Sequence, residues 1–159
     1  MDSGSPRHRN GAPAPGSAAG PAAGPVDPEI ADWTDQYFLR TKATVARFGD
    51  STVTYAVFMR RPVVSAPRLA LDWLHSVAAA RGTTFKVDLV YPEGKWVGAG
   101  EPIMYITGSL VHLSDLETIL LMKLGPACVA AFNAFTMCAD LPAVSFLAMD
   151  ARHCAGREM

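Results

Sequence analysis

The stretch 100-GEPIMYITGSLVHLSDLETILLMKLGPACVAAFNAF-135 decides the fold, because a strand-like segment gives way inside it to a helical one. After the Gly-Ala-Gly-Glu-Pro turn composition at 98–102, the run from Ile103 is β-prone. From Ser114 onward, Leu116, Ile119, Leu120 and Leu124 recur at helical spacing. Ser114 and Glu117 stand three apart, the spacing of a capping box, so a helix is expected to start there. Pro126 reads as the first residue of a second helix through 127-ACVAAFNAFTMCADL-141. The small residues on one side of that segment permit close packing against a sheet or another helix. Strands that pass into apolar-striped helices predict an α+β domain with a small β layer.

Upstream, 83-TTFKVDLVYPEGKWVGAGEPIMYITGSL-110 holds short β-prone runs separated by Pro-Glu-Gly and Gly-Ala-Gly-Glu-Pro, so several short strands are expected. The segment 65-SAPRLALDWLHSVAAARG-82 reads as the most regular helix, with Ser65 as its cap, Pro67 near the first turn and a stripe at Ala70, Trp73, Leu74 and Val77. Gly82 would end it. Before it, 51-STVTYAVFMRRPVV-64 alternates through Val53, Tyr55, Val57 and Met59 as a strand does. The segment 32-DWTDQYFLRTKATVARFG-49 predicts a helix capped by Thr34 or Asp35 and stopped by Gly49. Downstream, Val144 to Met149 is expected to be a strand apolar on both faces, followed by a charged loop.

Six of the twelve prolines lie in residues 1–28, which hold no aromatic residue, so this tail is expected to be disordered. The remaining length suits one folding unit. Fourteen Lys and Arg against fifteen Asp and Glu give a net charge of -1, which leaves no basic field for nucleic acid. Each apolar stretch is interrupted by Gly, Pro or charge before the roughly 18 residues a membrane span needs, so none is expected. Arg7 and Arg9 have no apolar run behind them, which argues against a secretory signal and makes a cytoplasmic location the default expectation. Cys128, Cys138 and Cys154 include no C-x-x-C pair, so reduced structural thiols are expected rather than a metal site.

The phosphate-loop, dinucleotide, nucleophile-elbow and zinc-helix motifs are all absent from the chain. The strongest remaining constellation is Asp150, Arg152, His153 and Cys154 after the expected strand, since strand carboxyl ends gather ligand groups in α/β folds. An arginine there can hold a carboxylate or phosphate through paired hydrogen bonds, although an ordinary polar turn has the same composition. Tyr37 and Phe38 beside Asp35 can stack on a flat ring, or can anchor their helix to the core. His75 reads as a solvated helix residue, and Glu117 as the acid of the capping box. Lys95, in the turn 92-PEGKWVG-98, resembles a lipoyl or biotinyl carrier lysine but lacks the usual flanking residues.

Together, 34-TDQYFLRTKATVARFG-49, the opening stretch and 142-PAVSFLAMDARHCAG-156 resemble the nicotinate phosphoribosyltransferase family over about residues 33–159. The motifs are Asp-x-Tyr, G-E-P-[IV]-x-x-[IV]-x-G, E-T-x-[LI]-L, a small-residue helix and an Arg-bearing loop. The resemblance implies an N-terminal α/β domain of the type II phosphoribosyltransferase kind over 29–140, followed by the first strand of an incomplete α/β barrel over 141–159. It implies transfer of a phosphoribosyl group from phosphoribosyl pyrophosphate to nicotinate, coupled to ATP and Mg²⁺, whose binding residues would lie outside this chain. It places Tyr37 against the pyridine ring, reaching into the partner subunit of a homodimer. Arg152, with His153 beside it, would hold nicotinate and the phosphoribosyl group. No catalytic residue is assigned, and a chain ending after one barrel strand is expected to be inactive alone. Two alternatives stand beside it. One is quinolinate phosphoribosyltransferase, which shares the architecture but needs several basic residues for a dicarboxylate, and the other is a non-catalytic carrier or interaction domain built on the β-rich middle, with Lys95 as the candidate attachment point.

Overall fold

The computed structural model describes residues 28–147, so the expected tail falls almost entirely outside the described residues. The chain order is α1 (Pro28–Trp33), α2 (Gln36–Phe48), β1 (Thr52–Phe58), β2 (Val63–Val64), α3 (Arg68–Ala80), β3 (Lys86–Leu89), β4 (Trp96–Val97), β5 (Pro102–Ser109), α4 (Leu110–Leu113) and α5 (Glu117–Asp140). This is the mixed α+β architecture that the sequence predicts, with α1 as an additional turn of helix.

β5 is the centre of a three-stranded antiparallel sheet in the order β1-β5-β3, and β2 pairs with β4 in a separate two-stranded ribbon. The register puts Tyr55 and Val87 on either side of Ile106, and Val57 and Leu89 on either side of Met104. Cross-strand partners share a face, so these residues form one apolar side. Thr54 opposite Thr107 and Asp88 opposite Tyr105 form the other side, where the two threonine hydroxyls hydrogen-bond at 2.8 Å. The apolar side is covered by Ala70, Leu74 and Ala78 of α3 and by Ile119, Leu120, Leu124 and Cys128 of α5, all buried in one core. A one-sided antiparallel sheet with helices on its apolar face explains the alternation in β1.

Gly108 has a specific steric reason to be glycine. A Cβ there would stand 2.6 Å from the Phe85 ring, which is buried against the strand. Gly82 takes a φ of +62° just past α3, the conformation expected of a helix stop.

Several local expectations fail for physical reasons. α5 begins at Glu117 with Leu116 at its cap position and no side-chain cap, so the capping box does not form. Ser114 instead closes α4, and its buried hydroxyl has no partner among the described residues. Ser65 does not cap α3; it is fully buried and its hydroxyl donates to the Tyr91 carbonyl at 2.8 Å, tying the ribbon to the turn before β4. Asp35 occupies the cap position of α2 without a side-chain bond, and Thr34 turns inward instead. Pro126 does not restart a helix but sits inside the continuous 24-residue α5. It removes one N–H from the ladder, and packing of the first half of the helix outweighs that loss.

That continuity has a second consequence. The expectation that every apolar stretch stops short of a membrane span fails for α5, which by length and composition alone is apolar enough to cross one. Its first half nevertheless packs in the core, through Ile119, Leu120, Leu124 and Cys128. Beyond α5, residues 144–147 form no strand and are exposed, because no neighbouring strand lies beside them among the described residues. The remainder of the expected barrel strand lies outside the described residues.

Candidate functional site

The sharp corner between α1 and α2 is built around Thr34. Its hydroxyl donates to the Ile30 carbonyl at 2.6 Å and lies 2.9 Å from the Asp115 carbonyl. Asp35 follows in extended geometry, φ -59° and ψ 138°, and α2 starts at Gln36. The corner is therefore pinned to the turn that launches α5. Nearly two turns further along α2, the buried Lys42 ammonium meets the Asp115 carboxylate at 2.6 Å. Arg81, at the end of α3, grips the same carboxylate with two nitrogens at 2.7 and 2.9 Å, and also donates to the His112 carbonyl at 2.7 Å. One carboxylate thus joins three helices and fixes the start of α2 beside the first turn of α5.

The groove between those two helix starts has a volume of about 410 Å³ and is lined by Asp35, Tyr37, Phe38, Glu117, Thr118 and the aliphatic residues of α5 that follow. Tyr37 is 58% exposed, and its ring centroid lies 4.0 Å from that of Phe38 with the planes tilted by 39°. Burial, reinforced by Asp35, pushes the Glu117 carboxyl above its ordinary range. Partial desolvation together with Glu117 and Asp35 likewise raises the Tyr37 phenol. The Thr118 hydroxyl is buried with no partner among the described residues. The arrangement offers an aromatic face for stacking, a carboxyl of raised affinity for its proton and a free hydroxyl, in a negative local field.

Tyr37 is therefore exposed at a groove. Arg152 and His153 lie outside the described residues, so the described structure does not bring them to Tyr37. The sequence shows Glu117 only as a capping acid; its place beside Tyr37 depends on a contact between α2 and α5 that no local pattern reveals. Lys95 lies in the turn from β3 to β4, which belong to different sheets, and its backbone carbonyl accepts the Ser65 N–H at 2.8 Å. That is not a hairpin tip, so the carrier reading loses its geometric basis. His75 is exposed on α3, as expected. Cys128 is buried, with its sulfur 3.4 Å from the Ala66 nitrogen, while Cys138 is exposed. Among the described residues no three His, Cys, Asp or Glu side chains converge on a metal-sized point.

An antiparallel sheet covered on one side by helices, with a groove at the helix starts lined by Tyr37 and Phe38, is the arrangement expected of an N-terminal domain of the type II phosphoribosyltransferase kind. The sequence model of the quinolinate phosphoribosyl transferase N-terminal domain matches residues 35–128, more than half of the chain. The chain belongs to that family. The match supports the coarser part of the resemblance, a type II phosphoribosyltransferase domain, and points to the quinolinate kind rather than the nicotinate kind.

Among solved structures, a nicotinate-nucleotide pyrophosphorylase from Pyrococcus furiosus matches with a TM-score of 0.65 and 24% identity, over 80% of this chain and 34% of that one. A nicotinate-nucleotide pyrophosphorylase from Francisella tularensis matches with a TM-score of 0.43 and 14% identity, over 65% of this chain and 38% of that one. The chain thus spans about a third of the length of the first of these. No curated protein matches it.

Proposed function

We propose that this chain supplies the ring-recognition domain of a phosphoribosyltransferase of NAD biosynthesis that acts on a pyridine carboxylate, with quinolinate as the acid. The observation that carries this reading is the family match over residues 35–128, which contains Tyr37, Glu117 and the whole three-stranded sheet. In this reading Tyr37 stacks on the pyridine ring and the Asp115 network holds it in place. Arg152 and His153 would meet the carboxylate and phosphoribosyl groups, a homodimer would complete the site, and the location would be cytoplasmic. Stacking and charge pairing orient the ring nitrogen toward the anomeric carbon, and this positioning lowers the barrier of a loose displacement.

A second reading, nicotinate as the acid, is favoured by one observation. The groove at Tyr37 carries Glu117 and Asp35. A negative local field disfavours the second carboxylate of quinolinate more than the single one of nicotinate. Calorimetric titration of the chain with each acid separately tests both. Tighter saturable binding of quinolinate supports the first reading, the reverse order supports the second, and absence of binding by either removes both.

A further inference from the structure

A second groove lies on the other side of Leu121, between the bend that joins β1 to β2 and the outer face of α5. It has a volume of about 590 Å³. This is within the range of roughly 300 to 1,000 Å³ typical of small-molecule sites. Its floor and walls are apolar, formed by Phe58, Met59, Val129 and Phe132, with Gly125 at the base of the helix face. The absence of a side chain at Gly125 leaves this floor open; a Cβ there would only touch the Met59 methyl at 3.8 Å.

The rim has the opposite character. Arg60 and Arg61 stand there side by side and exposed, and neither has a carboxylate partner among the described residues. In a chain of net charge -1, two adjacent unpaired guanidiniums form a local feature rather than part of a general basic surface. Guanidinium forks match carboxylate and phosphate oxygens in pairs. Among the described residues, the only other polar side chain lining the groove is the Asn133 amide. An apolar trough that ends at two unpaired cations is complementary to one chemistry: an apolar body carrying an anionic head.

We infer that the groove between the Arg60–Arg61 bend and α5 is a binding site for an amphipathic organic anion, separate from the groove at Tyr37. The apolar body lies along Val129 and Phe132, and the carboxylate or phosphate head is held by Arg60 and Arg61. The site is independent of the assignment of quinolinate or nicotinate.

The test uses the whole chain and two probes with the same twelve-carbon tail and opposite heads, dodecanoate and dodecyltrimethylammonium, below their micelle-forming concentrations. Dodecanoate should bind at least tenfold more tightly by calorimetry, and amide shifts in nuclear magnetic resonance spectra should cluster at Gly125, Val129 and Asn133. The double variant Arg60→Gln, Arg61→Gln should abolish the preference between the heads. Val129→Trp, at an exposed position, should weaken both probes by filling the trough, with circular dichroism checking that each variant is folded. Equal binding of the two probes, shifts located elsewhere, or an unchanged preference in the double variant would overturn the inference. So would a dimer in sedimentation that Val129→Trp dissociates, because the groove would then be covered by a second copy. If Val129→Trp does not fold, the wild-type shift map and the double variant decide alone.

Discussion

Replacing Asp115 by asparagine removes the one negative charge that two cations share. The Asp115 side chain is fully buried, and the side chains of Lys42 and Arg81 are only 7% and 13% exposed. An amide in place of the carboxylate would keep the volume but present one neutral oxygen to an ammonium and a guanidinium. Three charge-assisted hydrogen bonds, at 2.6, 2.7 and 2.9 Å, are lost or weakened. Such bonds contribute about 1.5 to 3 kcal/mol each, but the three are not additive because they share an acceptor. Removing one partner of a buried pair costs about 3 to 5 kcal/mol, chiefly because the remaining charge is left unpaired, and that range is the expectation for Asp115→Asn. With a urea dependence of about 1.5 kcal/mol per molar, the unfolding midpoint should fall by about 2 to 3 M. Lys42→Met should cost clearly less, since Asp115 keeps both bonds from Arg81. A stability loss under about 1 kcal/mol for Asp115→Asn, or an equal loss for Lys42→Met, would refute the claim that this carboxylate holds the three helices together.

Burial alone would raise the Asp115 carboxyl, but the bonds from Arg81 and Lys42 hold it below its ordinary value. The stability it contributes is therefore complete above the ordinary carboxylate pKa of about 3.9 and is lost as pH falls through the lower folded value. His112 is shifted down by burial, with Arg81 and Lys42 adding to the effect, so the fold favours its neutral form. Its contribution is present above about 6.5 and lost as pH falls below that, and His112→Asn should flatten the decline in melting temperature between about pH 7 and 5. Gly108→Ala should destabilise by about 1 to 3 kcal/mol in chemical denaturation, because the new methyl displaces the buried Phe85 ring. Pro126→Ala should raise stability by about 1 to 3 kcal/mol in the same assay, as it restores the helical N–H to the Met122 carbonyl.

The elements legible in the sequence are those whose cause is local. The alternation of Val53, Tyr55 and Val57 reports a sheet with one covered face, and Gly49 and Gly82 mark helix ends because both residues take positive φ. Polar residues near helix starts mislead because a cap pattern cannot reveal a competing tertiary partner. Thr34 bonds to the Asp115 carbonyl and Ser65 to the Tyr91 carbonyl, contacts spanning 81 and 26 residues. Pro126 has the look of a break because the sequence does not show how much the buried first half of α5 stabilises its continuation. Tyr37 can be singled out as an aromatic next to an acid, whereas Glu117 cannot be joined to it without the tertiary fold that sets the starts of α2 and α5 on one groove. The network of Lys42, Arg81 and Asp115 leaves no sequence signal, since its members are far apart and each is an ordinary charged residue. The choice between quinolinate and nicotinate is hidden for a different reason, as the residues expected to meet the carboxylates, Arg152 and His153, lie outside the described residues.

The claim that the groove between α2 and α5 receives the pyridine ring is tested most directly by titrating the isotopically labelled chain with quinolinate and nicotinate while following aromatic and amide resonances. Stacking should produce ring-current shifts at Tyr37, Phe38 and Thr118 that saturate, while the sheet resonances stay in place. Tyr37→Ala should weaken the binding by on the order of tenfold without unfolding the domain, a factor drawn from base stacking on aromatic side chains. Shifts that spare Tyr37 and Phe38, or an unchanged affinity in the Tyr37→Ala variant, would contradict the account.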